Sequence, residues 1–459
     1  MNRRIRALSA LLLAFCLLIS SAFAEGGLGI PLPKRDAPVP QTAEAAEAGE
    51  AAYTLDRVVV LSRHNIRSPL SGSGSVLGDI TPHTWFAWTS QPSELSLRGA
   101  ILETELGQYF RLWLESEGFF PENYQPETSA VRFYANAKQR TIATARYFSA
   151  GLLPVAQQPI EVHAPYDTMD PVFSPEIRFV TEDFVRDALA QIAEKGGEEG
   201  LDGILASQRD AITLLMDVLD LEESSAYQAG TCTDLRTGET TVRLEVGKEP
   251  GLVSPLRTAT QAADALTLQY YEEPDAAKAA FGHDLTDEDW RLVHGIVDTY
   301  SDVLFGMPMI SVQVANPLLR ELRAELTAEG RRFTFLCGHD SNLTSVLTAL
   351  GAEEYLLPDT VEQHTPIGSK LCFERWIDGA GEAWYRVRMI YQSTAQLRAM
   401  TPLSLEQPPV SYPMQFTGVH VNGDGMIPEA ELLMLFDRAI EAYDEQLSQY
   451  GVENVRDAA

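Results

Sequence analysis

Three short apolar runs each end in a cluster of polar and charged residues. Val58-Val59-Val60-Leu61 leads into Arg63-His64-Asn65-Ile66-Arg67-Ser68-Pro69, and Phe333-Thr334-Phe335-Leu336-Cys337 leads into Gly338-His339-Asp340-Ser341-Asn342. Between them, Ala130-Val131-Arg132-Phe133-Tyr134-Ala135 leads into Asn136-Ala137-Lys138-Gln139-Arg140. Runs of this length predict buried strands, with the polar clusters at their ends. After the middle run, Ile142, Ala145, Phe148 and Leu152 recur at helical spacing, and Gly151 and Pro154 predict the helix end. After the last run, Leu343, Val346, Leu347 and Leu350 share one helix face, and Gly351 is a good stop. Arg140 and Asp340 therefore belong to strand–loop–helix units. In open α/β sheets, ligands bind beyond the carboxyl ends of parallel strands.

Elsewhere the period changes. Thr181 to Glu194, Ile204 to Leu221 and Thr286 to Phe305 read as amphipathic helices in a mostly helical, acidic stretch. Strands resume at Phe333, at Lys370-Leu371-Cys372-Phe373, and where Tyr385, Val387, Met389 and Tyr391 alternate with other residues. The expected fold class is α/β: a mixed sheet flanked by helices, with an inserted, mostly helical cap domain. The expected division is residues 53–170 and 300–459 for the two parts of the α/β catalytic domain and 171–299 for the cap. No internal repeat is evident.

The N-terminus changes the picture. Arg3, Arg4 and Arg6 precede an apolar stretch from Leu8 to Ile19, and Ser21-Ala22-Phe23-Ala24 offers a small-x-small cleavage site. Residues 1–24 are therefore expected to be a signal peptide, and 25–52, rich in Ala, Pro, Gly and Glu, a disordered linker. The mature protein is expected to be exported, periplasmic or secreted, and free of the membrane after signal removal. At 459 residues and 45% hydrophobic, the chain can bury a large core. Its net charge of −30 becomes −33 once the three arginines of residues 1–24 are gone, because that segment holds no acid. Such a charge argues against nucleic acid as a partner. Salt screens it beyond about 8–10 Å, so a local arginine cluster can still bind phosphate. Three cysteines survive cleavage, Cys232, Cys337 and Cys372, so no disulfide framework is expected. Asn422-Gly423-Asp424-Gly425-Met426-Ile427 with Glu431 has the spacing of a calcium loop, but His420 takes the first ligand position and Pro428 intrudes, so a surface turn is expected.

The polar clusters suit a phosphate ester. A phosphomonoester dianion repels nucleophiles, and guanidinium groups neutralise it with bidentate geometry. Arg63, Arg67 and Arg140 are the candidates. A neutral His64 can attack phosphorus and form a phosphohistidine. Asp340 can protonate the leaving alkoxide and later take a proton from water, while His339 donates a hydrogen bond to the phosphoryl group. The scheme needs no metal and no cofactor, and its partner is a small-molecule phosphomonoester. The competing class is a phosphosugar-binding protein that captures without hydrolysing. The oligomeric state is not legible.

On these residues the chain resembles the histidine acid phosphatases, the two-domain branch of the histidine phosphatase superfamily, whose fold is phosphoglycerate-mutase-like and whose signature is RHGxRxP with a later HD. Asn65 stands where most members have Gly, as it does in the bacterial periplasmic glucose-1-phosphatase subgroup. The likeness runs through Arg63 to Leu77, Ala135 to Phe148, Met169-Asp170-Pro171, Glu249-Pro250-Gly251, Leu266 to Glu272, Gly338 to Leu350, Thr365-Pro366-Ile367-Gly368 and Tyr391-Gln392-Ser393. It implies His64 as nucleophile, Asp340 as proton donor, and Arg63, Arg67, Arg140 and His339 as the phosphate pocket. It also implies Glu249 at the substrate entrance. Leu70-Ser71 replaces the Thr-Lys usual in relatives with broad phytase activity, which favours a sugar phosphate such as glucose 1-phosphate over phytate. A phytase or broad-specificity acid phosphatase stays as the alternative. Cysteine pairs of the relatives are not carried over, and Val419 and Ile427 stand where one such pair would be.

Overall fold

The computed structural model describes residues 53–71 and 75–452, within one compact unit spanning Ala51–Ala459. The expected signal peptide, 1–24, and linker, 25–52, lie outside the described residues.

Eight strands form the main sheet: β1 (Thr54–Arg63), β2 (Val131–Ala135), β3 (Ile160–Glu161), β6 (Phe333–Gly338), β7 (Lys370–Ile377), β8 (Ala383–Tyr391), β9 (Val410–Pro413) and β10 (Ile427–Pro428). Their order is β10-β8-β7-β1-β6-β2-β3, with β9 also on β8. A separate ribbon pairs β4 (Thr241–Arg243) with β5 (Gly251–Val253). The sheet is mixed, as expected. β1, β6, β2 and β3 run parallel, while on the far side of β1 the strand β7 runs antiparallel to it and β8 antiparallel to β7.

The unbroken apolar run in β1 follows from its position. Val58 and Val60 join one core, and Val59 and Leu61 join the core on the opposite face. A strand buried on both faces has no polar positions to alternate with. Helices α1 (Leu97–Ser116) and α2 (Gln139–Leu152) cover the first face through Leu106, Phe110 and Phe148. Helices α8 (Pro308–Thr327), α9 (Asp340–Ala349) and α10 (Glu429–Gln449) cover the second through Leu318, Leu322, Val346 and Phe436. Cys337 and Cys372 are buried in the first core, and all three described cysteines are free. Burial pushes the Cys337 and Cys372 thiols up, which keeps them unreactive. Val419 and Ile427 pack together with the second core.

A third core belongs to the helices between: α3 (Glu182–Glu194), α4 (Leu201–Ser207), α5 (Arg209–Val218), α6 (Pro255–Glu272) and α7 (Asp287–Phe305). Helix α7 starts as the sequence indicates, at a Thr286–Asp289 capping box with acids in its first turn. The stretch read as one helix from Ile204 to Leu221 is broken at Gln208 into α4 and α5 and ends at Val218. Among the described residues no single helix is long and apolar enough to cross a membrane. The bent pair α7–α8, 81° apart, is apolar because Trp290, Val293, Ile296, Leu318 and Leu322 are core residues. At the calcium-like loop, Asn422 Oδ1 accepts from the Asp424 and Met426 amides, and His420 pairs with Glu431.

Candidate active site

Register brings the three polar clusters together. Arg63 pairs with Gly338 across β1–β6, and Ala135 pairs with Cys337 across β2–β6. His64, Asn136 and His339 therefore leave the sheet at one level. The His64 amide donates to the Gly338 carbonyl at 3.1 Å, and the Asn136 amide to the Cys337 carbonyl at 2.9 Å. The imidazoles of His64 and His339 meet edge to face, 5.4 Å between centroids.

His64 is buried, and its Nδ1 lies 2.9 Å from the carbonyl oxygen of Asn65. A carbonyl only accepts, so Nδ1 carries the proton and Nε2 keeps the lone pair. Burial, then Arg140, His339, Arg67 and Arg63, lower its pKa well below the ordinary histidine value. Both the burial and the neighbouring cations favour the neutral ring. His339 is fixed in a complementary way. Asn136 Oδ1 accepts from the amides of Ala137 and Asp170, which leaves Nδ2 to donate to His339 Nε2 at 2.6 Å. Arg140 Nη2, also a donor, stands 3.4 Å from His339 Nδ1, so both ring nitrogens face donors; the shorter Asn136 contact assigns the lone pair to Nε2 and the proton to Nδ1. Burial and Arg140 lower its pKa as well.

The three arginines are held differently. Arg63 donates to Glu362 and to the Thr365 carbonyl and stands 3.5 Å from Asp340 Oδ2. Burial opposes its charge, but Glu362 and Asp340 outweigh it and raise its pKa. Arg67 Nη2 lies 3.2 Å from both carboxylate oxygens of Asp264 on α6. Arg140, in the first turn of α2, has no ion pair among the described residues. Burial and Arg67 bring its pKa down to about 10, so it stays charged at working pH. The Nε atoms of all three are buried without a hydrogen-bond partner, leaving donor capacity for an oxyanion.

Asp340 opens α9, where free amides and the dipole favour an anion. Its Oδ1 accepts from the Ser341 amide at 2.8 Å, and its side chain is 38% exposed. Burial would raise its pKa, but Arg63, His339 and the Ser341 amide bring it below the usual carboxylate range. These groups open onto a cavity of about 380 Å³ lined by His64, Arg67, Arg140, Glu249, His339 and Asp340, and by Thr260, Gln261, Tyr300 and Ser301 of the helical layer. Glu249 is reached by solvent at the rim. Partial desolvation between the walls, with Asp340 and Glu176 nearby, raises its pKa.

All seven site residues read from the sequence are thus brought together. Six line or border one cavity, and Arg63 sits behind Asp340. Sequence reasoning missed Asp264 and Glu362, the carboxylates that hold two of the arginines. Asp264 was legible only as an acid within a helical pattern, two residues before the Leu266 to Glu272 segment. Glu362 lies just ahead of Thr365-Pro366-Ile367-Gly368 in a loop without periodicity. Asn65, the residue that departs from the family's glycine, does not face the cavity. Its side chain is fully buried and donates to Glu103, away from the cavity.

Known proteins share this chain's sequence pattern and fold. The family described as histidine phosphatase superfamily (branch 2) matches residues 54–192 and 294–392. A glucose-1-phosphatase of Salmonella typhimurium is 34% identical over 391 residues, covering 84% of this chain and 93% of that enzyme. A glucose-1-phosphatase of Providencia rettgeri is 33% identical, covering 88% and 96%. Among solved structures, the apo form of Hafnia alvei phytase superposes with a TM-score of 0.78 at 26% identity, over 86% of this chain and 99% of that one. The chain belongs to branch 2 of the histidine phosphatase superfamily. Within that branch it is a histidine acid phosphatase, a phosphoric monoester hydrolase.

Proposed function

We propose that the enzyme hydrolyses monophosphorylated sugars, glucose 1-phosphate first among them, by in-line attack of His64 Nε2 on phosphorus. The observation that supports this most directly is the state of His64. Its Nδ1 is committed to a carbonyl, and its surroundings keep the ring uncharged. Arg63, Arg67, Arg140 and the Nδ1–H of His339 neutralise the phosphoryl oxygens. Asp340 donates the proton to the departing hydroxyl and then activates water against the phosphohistidine. No step calls on a metal or cofactor. Residues 53–170 and 300–459 act as the catalytic part, and 171–299 as the cap that closes over the leaving group.

The sugar preference rests on the cavity wall. Glu249, Gln261, Thr260, Tyr300 and Ser301 offer acceptors and hydroxyls to a polyol, and the exposed Leu70 adds no charge. Acidic groups at the mouth oppose a substrate carrying several phosphates. Arg257 on the same wall is the feature that favours the second reading, a phytase. Phosphate release from glucose 1-phosphate and from phytate, side by side at pH 5 with chelator present, decides between them. Faster release from glucose 1-phosphate is expected. Faster release from phytate transfers the assignment to the second reading. Stoichiometric ligand without product would indicate a phosphosugar-binding protein. The basic and apolar N-terminal segment supports export, periplasmic or secreted, and no nucleic-acid partner is invoked.

The pH profile carries its own expectation. Lowering the His64 pKa keeps the attacking imidazole neutral as pH falls through the ordinary histidine range, so kcat/KM is retained below pH 6. A loss of activity centred near pH 6.5, proportional to imidazole protonation, would contradict it.

A further inference from the structure

Directly behind the nucleophile lies a polar cluster that takes no part in the scheme above. Asn65, Glu103 and Lys370 have no solvent exposure. Asn65 Nδ2 donates to Glu103 Oε2 at 2.8 Å, and Lys370 Nζ stands 2.8 Å from Glu103 Oε1. Lys370 Nζ also donates to the Gly368 carbonyl at 2.8 Å, and the Gly368 amide donates to the His64 carbonyl at 3.0 Å. The chain of contacts returns to the residue from which it started. Gly368 has φ +69°, and a Cβ there would stand 2.6 Å from Asn65 Nδ2, so the glycine and the carboxamide are fitted to each other. On the other side, a Cβ on Gly99 of α1 would stand 2.3 Å from the Ile66 carbonyl oxygen. The Asn65 amide donates to Thr144 Oγ1 at 3.1 Å. The next peptide, between Asn65 and Ile66, is tied by Asn65 Oδ1, which accepts from the Ile66 amide at 2.8 Å. That peptide carries the carbonyl that receives His64 Nδ1–H.

A fully buried lysine–glutamate pair is a weak source of stability, because desolvation consumes most of the attraction. Apolar residues would fill the space at least as well for folding. Phe148 and Phe335 already line it, with ring centroids 5.7 and 5.6 Å from Lys370 Nζ. What apolar residues cannot do is accept from Asn65 Nδ2. We propose that Asn65, Glu103 and Lys370 form a positioning unit for His64, holding the Asn65 carbonyl so that the imidazole proton stays on Nδ1 and Nε2 stays aimed at phosphorus. The three act through the nucleophile and touch no substrate. The proposal rests on the reading of His64 as nucleophile.

The test uses the full-length mature enzyme with Asn65→Ala, and with the paired replacement Glu103→Leu and Lys370→Met. Three quantities are measured: Tm, kcat on a sugar phosphate, and the inhibition constant of inorganic phosphate, which reads the arginine pocket. The paired variant is expected to stay folded, any fall in Tm coming from the Asn65 Nδ2 and Gly368 carbonyl left without partners, and to leave phosphate inhibition within twofold. Its kcat should fall at least about tenfold, as misplacement of a reacting group does. Asn65→Ala should lose a similar factor, and adding it to the pair should cost little more, because all three serve one contact. A kcat within twofold of the native enzyme overturns the proposal. So does a kcat loss matched by an equal weakening of phosphate binding. If the paired variant does not fold, Asn65→Ala alone decides on the same two kinetic readouts. Failure of the underlying nucleophile reading would show separately, as turnover surviving His64→Ala.

Discussion

Replacing His64 with Ala is expected to abolish turnover, by about 10⁴-fold or more in kcat, while the protein stays folded. The size follows from what is lost. In the proposed scheme the reaction runs through a covalent intermediate on this atom, and the neighbouring imidazole is not free to replace it. His339 Nε2 is occupied by Asn136, and its Nδ1 bears the proton. The deletion removes a buried imidazole whose one hydrogen bond is to the adjacent carbonyl, so Tm should change little. Because the arginines remain, inorganic phosphate should still bind. Retained phosphate binding with lost turnover is the expected signature, and substantial residual hydrolysis would exclude His64 as nucleophile.

The second large effect is expected from Asp340→Asn, and it should depend on the leaving group. A sugar hydroxyl leaves poorly unless protonated, so kcat on glucose 1-phosphate should fall by about 10²–10⁴-fold. An aryl phosphate needs little protonation, so phosphohistidine formation from it should be slowed far less. Any loss left in its steady-state rate reports the later attack of water. Equal losses in phosphohistidine formation from both substrates would contradict the proton-donor role. The low pKa of Asp340 in the free enzyme sets the pH dependence. Arg63 and His339 favour its ionised form before substrate binds. A bound phosphate dianion adds negative charge beside it and competes for Arg63, and both effects raise the pKa. The alkaline limb of kcat should therefore belong to Asp340 in the complex, and Asp340→Asn should remove it.

The parts of this site that were legible in the sequence are those where local pattern and chemistry coincide. Arg63, His64, Arg67, Arg140, His339 and Asp340 each follow an apolar run, and parallel pairing of those runs puts them at one level without further information. The mixed sheet and the helical insertion were legible for the same reason, since period 2 and period 3.6 alternate along the chain. Glu249 needed a family resemblance, because nothing local distinguishes it from a solvated acid. Glu362, Asp264, Glu103 and Lys370 were not legible. Their partners lie 299, 197, 38 and 267 residues away in the chain, and only tertiary register brings them to the arginines, to Asn65 and to each other. Asn65 shows the limit most clearly. It lies between His64 and Arg67 in the motif, yet its side chain is fully buried and turned to Glu103, which nothing in the motif signals. The break at Gln208 is a smaller case, where helical periodicity continues across a residue that the backbone does not include in either helix.

The adjacency of β1 and β6 has a temporal consequence. In the proposed scheme the nucleophile, His64, is synthesised early and its acid partner, Asp340, late, and the two come together only when residues 58–63 pair with 333–338. At ribosomal speeds of about 5–20 residues per second, the emerging polypeptide holds half an active site for a period on the order of tens of seconds. Closing so distant a strand pair is also slow, because loop-closure entropy is lost before any contact is gained. Until that pairing forms, the emerging chain is expected to leave phosphate esters untouched, because the proposed nucleophile and acid are still apart.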